Sequence, residues 1–129
     1  MASIPTVDIH KATEITKTYL RQYDDWELVS FRLPIADNQG TKEDVAIHNK
    51  AVNECNQRMN IIKHIQQEQP PLGMILYYRF IKQYTVRRTR ELLAQHGFKL
   101  AKRTIEDKQK QALLLAYKEI KSLLNENIK

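Results

Sequence analysis

The 129-residue sequence has little of what a β-rich or disulfide-stabilised protein needs. It contains three glycines and four prolines, whereas an all-β chain needs turn residues at intervals of about 8–12 positions. Its one cysteine, Cys55, excludes an intramolecular disulfide and indicates a reducing compartment. The sequence therefore predicts an all-α fold and a cytoplasmic protein.

Signals for export, membranes, metals and catalysis are also missing. The first residues lack the apolar core of a signal peptide, and no run approaches the roughly 20 apolar residues of a membrane span. His48 and Cys55 are seven residues apart, which on a helix is about 10 Å and too far to share a metal ion. The nucleotide-binding, metalloprotease and hydrolase signatures are absent. We therefore expect no metal, no cofactor, no membrane partner and no enzymatic activity.

The positive charge of the chain is concentrated in its second half. Residues 1–71 contain 8 Lys/Arg and 10 Asp/Glu, whereas residues 72–129 contain 13 Lys/Arg and 5 Asp/Glu. A basic segment of this kind is typical of proteins that neutralise nucleic-acid phosphates. A solvated, lysine-rich helical surface would give the same distribution, so charge alone leaves both interpretations open.

Apolar residues recur every three or four positions near the N-terminus and predict one helix, which begins at Asp8 and ends near Leu28. Residues 29–35 then alternate between apolar and polar side chains. With no second strand in sight, we expect an extended, packed segment there rather than a sheet strand. Residues 36–40 (ADNQG) are expected to form a loop.

A long helix is predicted for residues 41–69. Its apolar positions form a narrow stripe with alternating spacings of three and four residues. Such a stripe fits one packing partner, which is either the rest of this chain or a second copy in a dimer, and the periodicity does not separate the two. The stripe consists of Val45, His48, Val52, Cys55, Met59 and Ile62.

Two consecutive prolines at positions 70 and 71 mark the clearest boundary, because the residue before a proline is disfavoured in the α region. We divide the chain there into an N-terminal helical region, residues 1–71, for packing or dimerisation, and a C-terminal domain, residues 72–129. Three helices are predicted in the C-terminal domain, at residues 72–82, 85–95 and 101–124. Gly97 is placed to adopt a positive φ just after the second of them. The packing residues of the third are predicted to be Ile105, Ala112, Leu113 and Ala116.

This order of helices is that of a helix-turn-helix DNA-binding domain. One helix crosses the phosphate backbone while the next enters a major groove about 12 Å wide, so a tight turn must join them. Arg103 lies in the first turn of the third helix, where arginine can donate two hydrogen bonds to guanine, and Glu106 can accept one from cytosine. Asp107 is expected either to act as a cap or to pair with Arg103 at i,i+4. The predicted base-reading residues are Lys102, Arg103, Glu106 and Lys110, and the predicted phosphate-binding residues are Arg87, Arg88 and Lys99.

Several runs in this half resemble ArpU-type phage transcriptional regulators. They are Arg103-Thr104-Ile105 followed by Lys108, the sequence ALLLA at residues 112–116, and the helix LYYRFI at residues 76–81 before Thr85. The resemblance implies a C-terminal helix-turn-helix similar to the fourth region of sigma-70 factors and control of late phage genes for packaging or lysis. The turn before Arg103 is a residue or two longer than is usual in that family.

Two classes of function remain open at this stage. The first is a sequence-specific, double-stranded DNA-binding transcriptional regulator, with RNA polymerase and a second copy of the chain as further partners. The second is a helical inhibitor or adaptor whose basic face binds an acidic protein. Stacking of single-stranded bases on Tyr77, Tyr78 and Tyr84 is a third hypothesis.

Overall fold

The computed structural model describes residues 6–32 and 42–128, and all regular structure in those residues is helical. This confirms the predicted all-α class for the described part of the chain. None of the helices found there is long and apolar enough to cross a membrane. The helices are α1 (Thr6–Arg21), α2 (Tyr23–Arg32), α3 (Lys42–Glu68), α4 (Pro70–Leu76, continued by a π-helical turn, Tyr77–Ile81), α5 (Val86–Gln95) and α6 (Lys102–Ile128).

The N-terminal prediction of one helix from Asp8 to about Leu28 is wrong. The chain forms two helices, with a break at Gln22 between α1 and α2. The break occurs where Arg58 of α3 reaches the end of α1, because the Tyr19 carbonyl accepts a hydrogen bond from Arg58 Nε at 2.6 Å. The apolar pattern of residues 8–28 could not predict this contact, because Arg58 lies outside those residues.

The extended segment predicted from residue 29 onward is helical as far as Arg32, because α2 packs along α3. His48 Nδ1 donates to the carbonyl of Ser30 at 3.1 Å, and Cys55 Sγ lies 3.9 Å from the carbonyl of Tyr23. These two contacts show that α2 and α3 are antiparallel. Residues 33–35 of the predicted extended segment and the predicted loop 36–40 lie outside the described residues.

The long helix predicted for residues 41–69 is confirmed with its ends moved by one residue. Its apolar stripe divides into two parts. Met59 and Ile62 pack into the protein's own core, whereas Val45 and Val52 are 38% and 36% exposed. The C-terminal half of the stripe therefore packs against other helices of the same chain.

The main hydrophobic core joins the two halves of the sequence. It combines buried residues of α1, α3, the α4 segment and α6, so the core continues across the division between residues 71 and 72. The division coincides with a reversal of chain direction and with a change in the balance of charge. That the two parts have separate functions stays a prediction. The buried residues are Leu20, Ile61, Ile62, Ile65, Leu72, Leu76, Phe80, Ile81, Ala112, Leu113, Ala116 and Ile120.

The C-terminal helix is longer than predicted and extends to Ile128 rather than ending at residue 124 in a polar tail. Its predicted packing residues are confirmed, because Ile105, Ala112, Leu113 and Ala116 are all at most 1% exposed. These positions repeat at helical spacing. Ala112, Leu113 and Ala116 pack in the main core, and Ile105 packs in a second cluster with α4 and α5.

Gly73 allows α3 and α4 to approach each other at backbone distance. The chain turns at Gln69, which has φ −138° and ψ 85°, and prolines occupy the first positions of α4. A Cβ on Gly73 would lie 2.4 Å from Gln66 Cβ and 2.6 Å from Gln66 Cα. Because the obstacle includes the backbone of α3, it cannot be relieved by a change of rotamer.

We expect Gly73→Ala to destabilise the protein by about 2 kcal/mol through overpacking. A glycine-to-alanine change inside a helix ordinarily stabilises by roughly 0.5–1 kcal/mol, so the sign itself is diagnostic. Urea denaturation of both proteins measures the difference in the free energy of unfolding. A variant as stable as the wild type would contradict the close approach of α3 and α4.

Arg58 is a buried cation of α3 that binds the end of α1 and Gln22, at the break between α1 and α2. Only 1% of the residue is exposed, and its guanidinium lies 3.9 Å from the centre of the Tyr19 ring. It donates to the Tyr19 and Glu54 carbonyls at 2.6 and 3.0 Å, to Glu54 Oε2 at 2.6 Å and to Gln22 Oε1 at 2.8 Å. Buried charges persist only when paired and hydrogen-bonded in this way.

We expect Arg58→Met to lower the free energy of unfolding by about 3 kcal/mol, because it leaves the Tyr19 carbonyl and the Glu54 carboxylate without their shared donor. Arg58→Lys keeps the charge without the planar fork and should lose less. Lys17→Met, at an exposed ion pair of α1, serves as the control and should change stability by under about 1 kcal/mol. Equal losses at positions 17 and 58 in thermal or urea unfolding would overturn this role of Arg58.

Candidate nucleic-acid interface

A second, smaller hydrophobic cluster holds the three C-terminal helices together. Its buried members are Met74 and Ile75 of α4, Leu93 of α5 and Ile105 of α6, so each helix contributes at least one side chain. Partly buried side chains close its edge. These are Tyr78, Val86, Phe98 and Leu100.

The N-terminus of α5 is capped by Thr85. Thr85 has an extended backbone, with φ −68° and ψ 164°, and its hydroxyl accepts a hydrogen bond from the Arg88 N–H at 3.0 Å. A threonine in this position satisfies one of the free N–H groups in the first turn of a helix. The helix predicted for residues 85–95 is confirmed to within one residue.

The C-terminus of α5 ends in a Schellman motif that fixes the direction of the chain. The Phe98 N–H donates to the Leu93 carbonyl at 2.9 Å, and the Gly97 N–H donates to the Ala94 carbonyl at 3.1 Å. Gly97 has φ +91°, which confirms its predicted conformation. Phe98 and Leu93 pack in the same cluster, as the motif requires.

The remainder of the turn is tied to α5 by a side chain. Arg90 Nε donates to the Leu100 carbonyl at 2.9 Å, and the Ala101 carbonyl accepts the first hydrogen bond of α6 from Ile105 at 3.0 Å. Six residues separate α5 from α6, compared with about three or four in a standard helix-turn-helix. The buried apolar contacts and the Arg90 bond restrain this longer turn.

The four predicted base-reading residues are all exposed, but they do not share one environment. Arg103 and Lys110 are both exposed and lie seven residues, about two turns, apart on α6. Glu106 and Lys110 line a groove of about 550 Å³ between α6 and α1. Lys102 is the first residue of α6.

Helix α1 flanks the predicted reading helix, which the sequence reasoning missed. The α1 side of the groove runs from Ile9 to Lys17, and the α6 side runs from Glu106 to Leu113. Glu14 and Lys17 of α1 form an exposed ion pair at 3.4 Å on this side. Lys102 and Arg103 in the first turn of α6 therefore lie before the turns that α1 flanks, and both are exposed.

The predicted phosphate-binding residues are exposed, and two of them share an acidic neighbour. The side chains of Arg87 and Arg88 are 91% and 51% exposed, and they lie 3.7 and 3.3 Å from Glu91. Lys99 lies exposed in the turn. Glu91 follows Arg88 by three residues and Arg87 by four on α5, and this helical spacing would have predicted both ion pairs.

The predicted pairing of Arg103 with Asp107 is not formed, and both residues belong to the described part of the chain. Both side chains are exposed. The guanidinium of Arg103 is therefore not engaged by this carboxylate.

The α4 segment is fastened to α6 by Arg79, whose Nε donates to Gln109 Oε1 at 2.9 Å and whose guanidinium also donates to the Tyr84 carbonyl. Burial, followed by the charge of Arg21, lowers the pKa of Arg79 from its ordinary value. Tyr78 stacks on Tyr84 with ring centres 6.2 Å apart.

Comparison with family models, curated proteins and solved structures finds no match to this chain.

We expect Gly97→Ala to lower the free energy of unfolding by about 1 kcal/mol, because an alanine resists the positive φ that the motif requires. Nothing lies within 4 Å of the added Cβ, so the cost would come from the backbone alone. Gly97→Asn should cost less, because asparagine tolerates this conformation better than alanine. A stabilising effect of alanine in urea denaturation would contradict the Schellman geometry.

Proposed function

We propose that the chain is a sequence-specific, double-stranded DNA-binding transcriptional regulator that reads the major groove with the first turns of α6. One observation carries the proposal. A restrained turn and a small apolar cluster fix α5 against α6, while Arg103 stands exposed in the first turn of α6. A rigid pair of helices with an exposed arginine at the start of the second suits insertion into a groove.

The charges around this unit support binding to a polyanion. Residues 86–110 contain eight Lys/Arg and three Asp/Glu. Arg87 and Arg88 on α5 and Lys99 in the turn are exposed on both sides of Gly97, where a helix crossing the DNA backbone would meet phosphates. Phosphate would compete with Glu91 for the two arginines, and such surface ion pairs are weak enough to exchange.

The position of α1 limits how α6 enters the groove. Because α1 lies beside Glu106 to Leu113, the approach is by the N-terminal end of α6 rather than along its length. In this arrangement Lys102 and Arg103 enter the major groove most deeply. Glu106 and Lys110 lie nearer the edge of the groove, beside α1. We assign Arg103 to a guanine because arginine can donate two parallel hydrogen bonds to O6 and N7.

The control of late phage or prophage genes is proposed on the resemblance to ArpU-type regulators alone. That resemblance rests on the runs at residues 76–81, 103–105 and 112–116. The DNA-binding proposal does not depend on it, because it stands on the exposed basic residues and the fixed helix pair.

We expect the affinity for a duplex selected from a random pool to fall steeply as salt is raised, through release of counterions. Arg103→Ala should weaken binding to the selected duplex by about 10- to 100-fold and leave binding to unrelated duplexes nearly unchanged. Arg87→Ala should weaken all duplexes about equally and reduce the salt slope by about one. Fluorescence anisotropy over a series of salt concentrations measures all three effects.

Lys63→Ala removes an exposed lysine from α3 and is the control, for which we expect no change. An equal loss on every duplex for Arg103→Ala would remove its base-reading role. The absence of duplex binding even at low salt would contradict the proposal as a whole. That result would favour an acidic protein as the partner of the basic surface.

A further inference from the structure

Two arginines from different helices lie beside the same buried aromatic ring. The guanidinium carbons of Arg21, at the end of α1, and Arg79, in the α4 segment, are 5.4 and 5.9 Å from the centre of the Phe80 ring. Phe80 is only 1% exposed and belongs to the main core, so the ring beside which both side chains lie is fixed. We call Arg21 and Arg79 the arginine pair.

The arginine pair carries two positive charges without a compensating carboxylate. Within residues 6–32 and 42–128, neither arginine forms an ion pair. The acidic residue nearest to Arg21 in sequence, Asp24, accepts a hydrogen bond from Gln83 instead. Burial and the charge of Arg21 both lower the pKa of Arg79, so the two guanidinium groups repel each other. An anion bound to both of them would relieve this repulsion.

Several N–H groups of the arginine pair are available to a ligand. Arg79 uses Nε and Nη1 for Gln109 and for the Tyr84 carbonyl, and its Nη2 donates to none of the residues that the structure describes. The two bonds fix the plane of the guanidinium and therefore the direction of Nη2. Arg21 is exposed and can turn its guanidinium toward the same ligand. Arginine binds phosphate oxygens through such groups with charge-assisted hydrogen bonds.

The arginine pair adjoins the arginines that are predicted to bind phosphates. Tyr84, whose carbonyl accepts from Arg79, immediately precedes Thr85, the N-cap of α5. Arg87 and Arg88 follow in the first turn of α5, which contains no acidic residue. Positive charge therefore continues from the start of α5 through Arg79 to the end of α1.

The arginine pair is also close to the predicted reading helix. Gln109, which accepts from Arg79, lines the groove between α1 and α6 together with Lys17, one turn before Arg21 on α1. Gln109 lies six residues after Arg103 on α6, which is about 9 Å along the helix axis. The major groove is about 12 Å wide and is bordered by phosphates. A duplex that receives the first turn of α6 would therefore bring phosphates near the arginine pair.

We propose that the arginine pair binds a phosphate group of the DNA backbone, so that α1 of the N-terminal region forms part of the nucleic-acid interface. The phosphate oxygens accept hydrogen bonds from Nη2 of Arg79 and from the guanidinium of Arg21. This inference rests on the proposed DNA binding, and it adds a contact from the half of the chain that has the lower positive charge. A phosphate contact fixes the position of the protein on the duplex without reading the sequence.

We expect Arg21→Gln to weaken binding to the selected duplex and to unrelated duplexes alike, by about 3- to 10-fold, and to reduce the salt slope by about one. Glutamine keeps much of the aliphatic stem beside Phe80 and removes the charge. Lys11→Gln is the matched control, because it removes one charge from an exposed position of the same helix, about 15 Å before Arg21. Its affinity and salt slope should equal those of the wild type in fluorescence anisotropy.

Single neutral phosphates in the duplex identify the contact directly. Each phosphate of the selected duplex is replaced in turn by an uncharged methylphosphonate. At one position or two neighbouring positions the wild type should lose affinity, whereas Arg21→Gln should lose little more than its own substitution costs, because the two changes remove the same interaction. At phosphates contacted by Arg87, Arg21→Gln should be as sensitive as the wild type. Circular dichroism checks that each variant keeps its helical content.

The proposal is overturned if the wild type binds the duplex and Arg21→Gln binds it as tightly, or if Lys11→Gln loses as much affinity as Arg21→Gln. It is also overturned if the losses from Arg21→Gln and from every methylphosphonate simply add. In these cases the proposed DNA binding stands, whereas a wild type that binds no duplex contradicts both proposals.

Inorganic phosphate separates the DNA backbone from a free anion as the ligand. If it raises the thermal unfolding midpoint of the wild type but not of Arg21→Gln, while both bind the duplex equally, the arginine pair binds free phosphate and the proposal is wrong. We expect the duplex, rather than millimolar phosphate, to distinguish the two proteins.

Discussion

The buried guanidinium of Arg58 is the constraint on which the arrangement of the N-terminal helices depends. Its hydrogen bonds to Tyr19, Gln22 and Glu54 fasten the end of α1 to the middle of α3. A buried arginine that lost these partners would be strongly unfavourable. The Tyr19 carbonyl accepts from Arg58, whereas in an uninterrupted α-helix it would accept from the Tyr23 N–H. Because of the break, α2 packs along α3, whereas α1 packs along α6.

Because α1 is held in this way, the two halves of the chain are not independent. Leu20 of α1 lies in the same core as Ala116 and Ile120 of α6, and Gly73 brings α4 against the backbone of α3. The C-terminal helices also have a small cluster of their own around Leu93 and Ile105. The main core sets the orientation of α6 in the protein, and the small cluster sets the orientation of α5 on α6.

The sequence predicted the features that depend on neighbouring residues. The bounds of α3, the buried face of α6 and the positive φ of Gly97 follow from local periodicity and from the chemistry of the helix end. The break at Gln22 and the helical form of residues 29–32 could not be predicted, since each depends on contacts with α3. The same is true of the groove between α1 and α6, whose two sides are about a hundred residues apart in the chain.

The candidate site shows the same limit at the level of single side chains. Exposure of Arg87, Arg88 and Arg103 was foreseeable from the amphipathic pattern. The pattern could not predict which of the charged side chains form ion pairs or hydrogen bonds within the chain. Glu91 forms ion pairs with Arg87 and Arg88, and Arg90 donates a hydrogen bond to the Leu100 carbonyl in the turn. Asp107 forms no ion pair with Arg103. These differences depend on rotamers and on the path of residues 96–101.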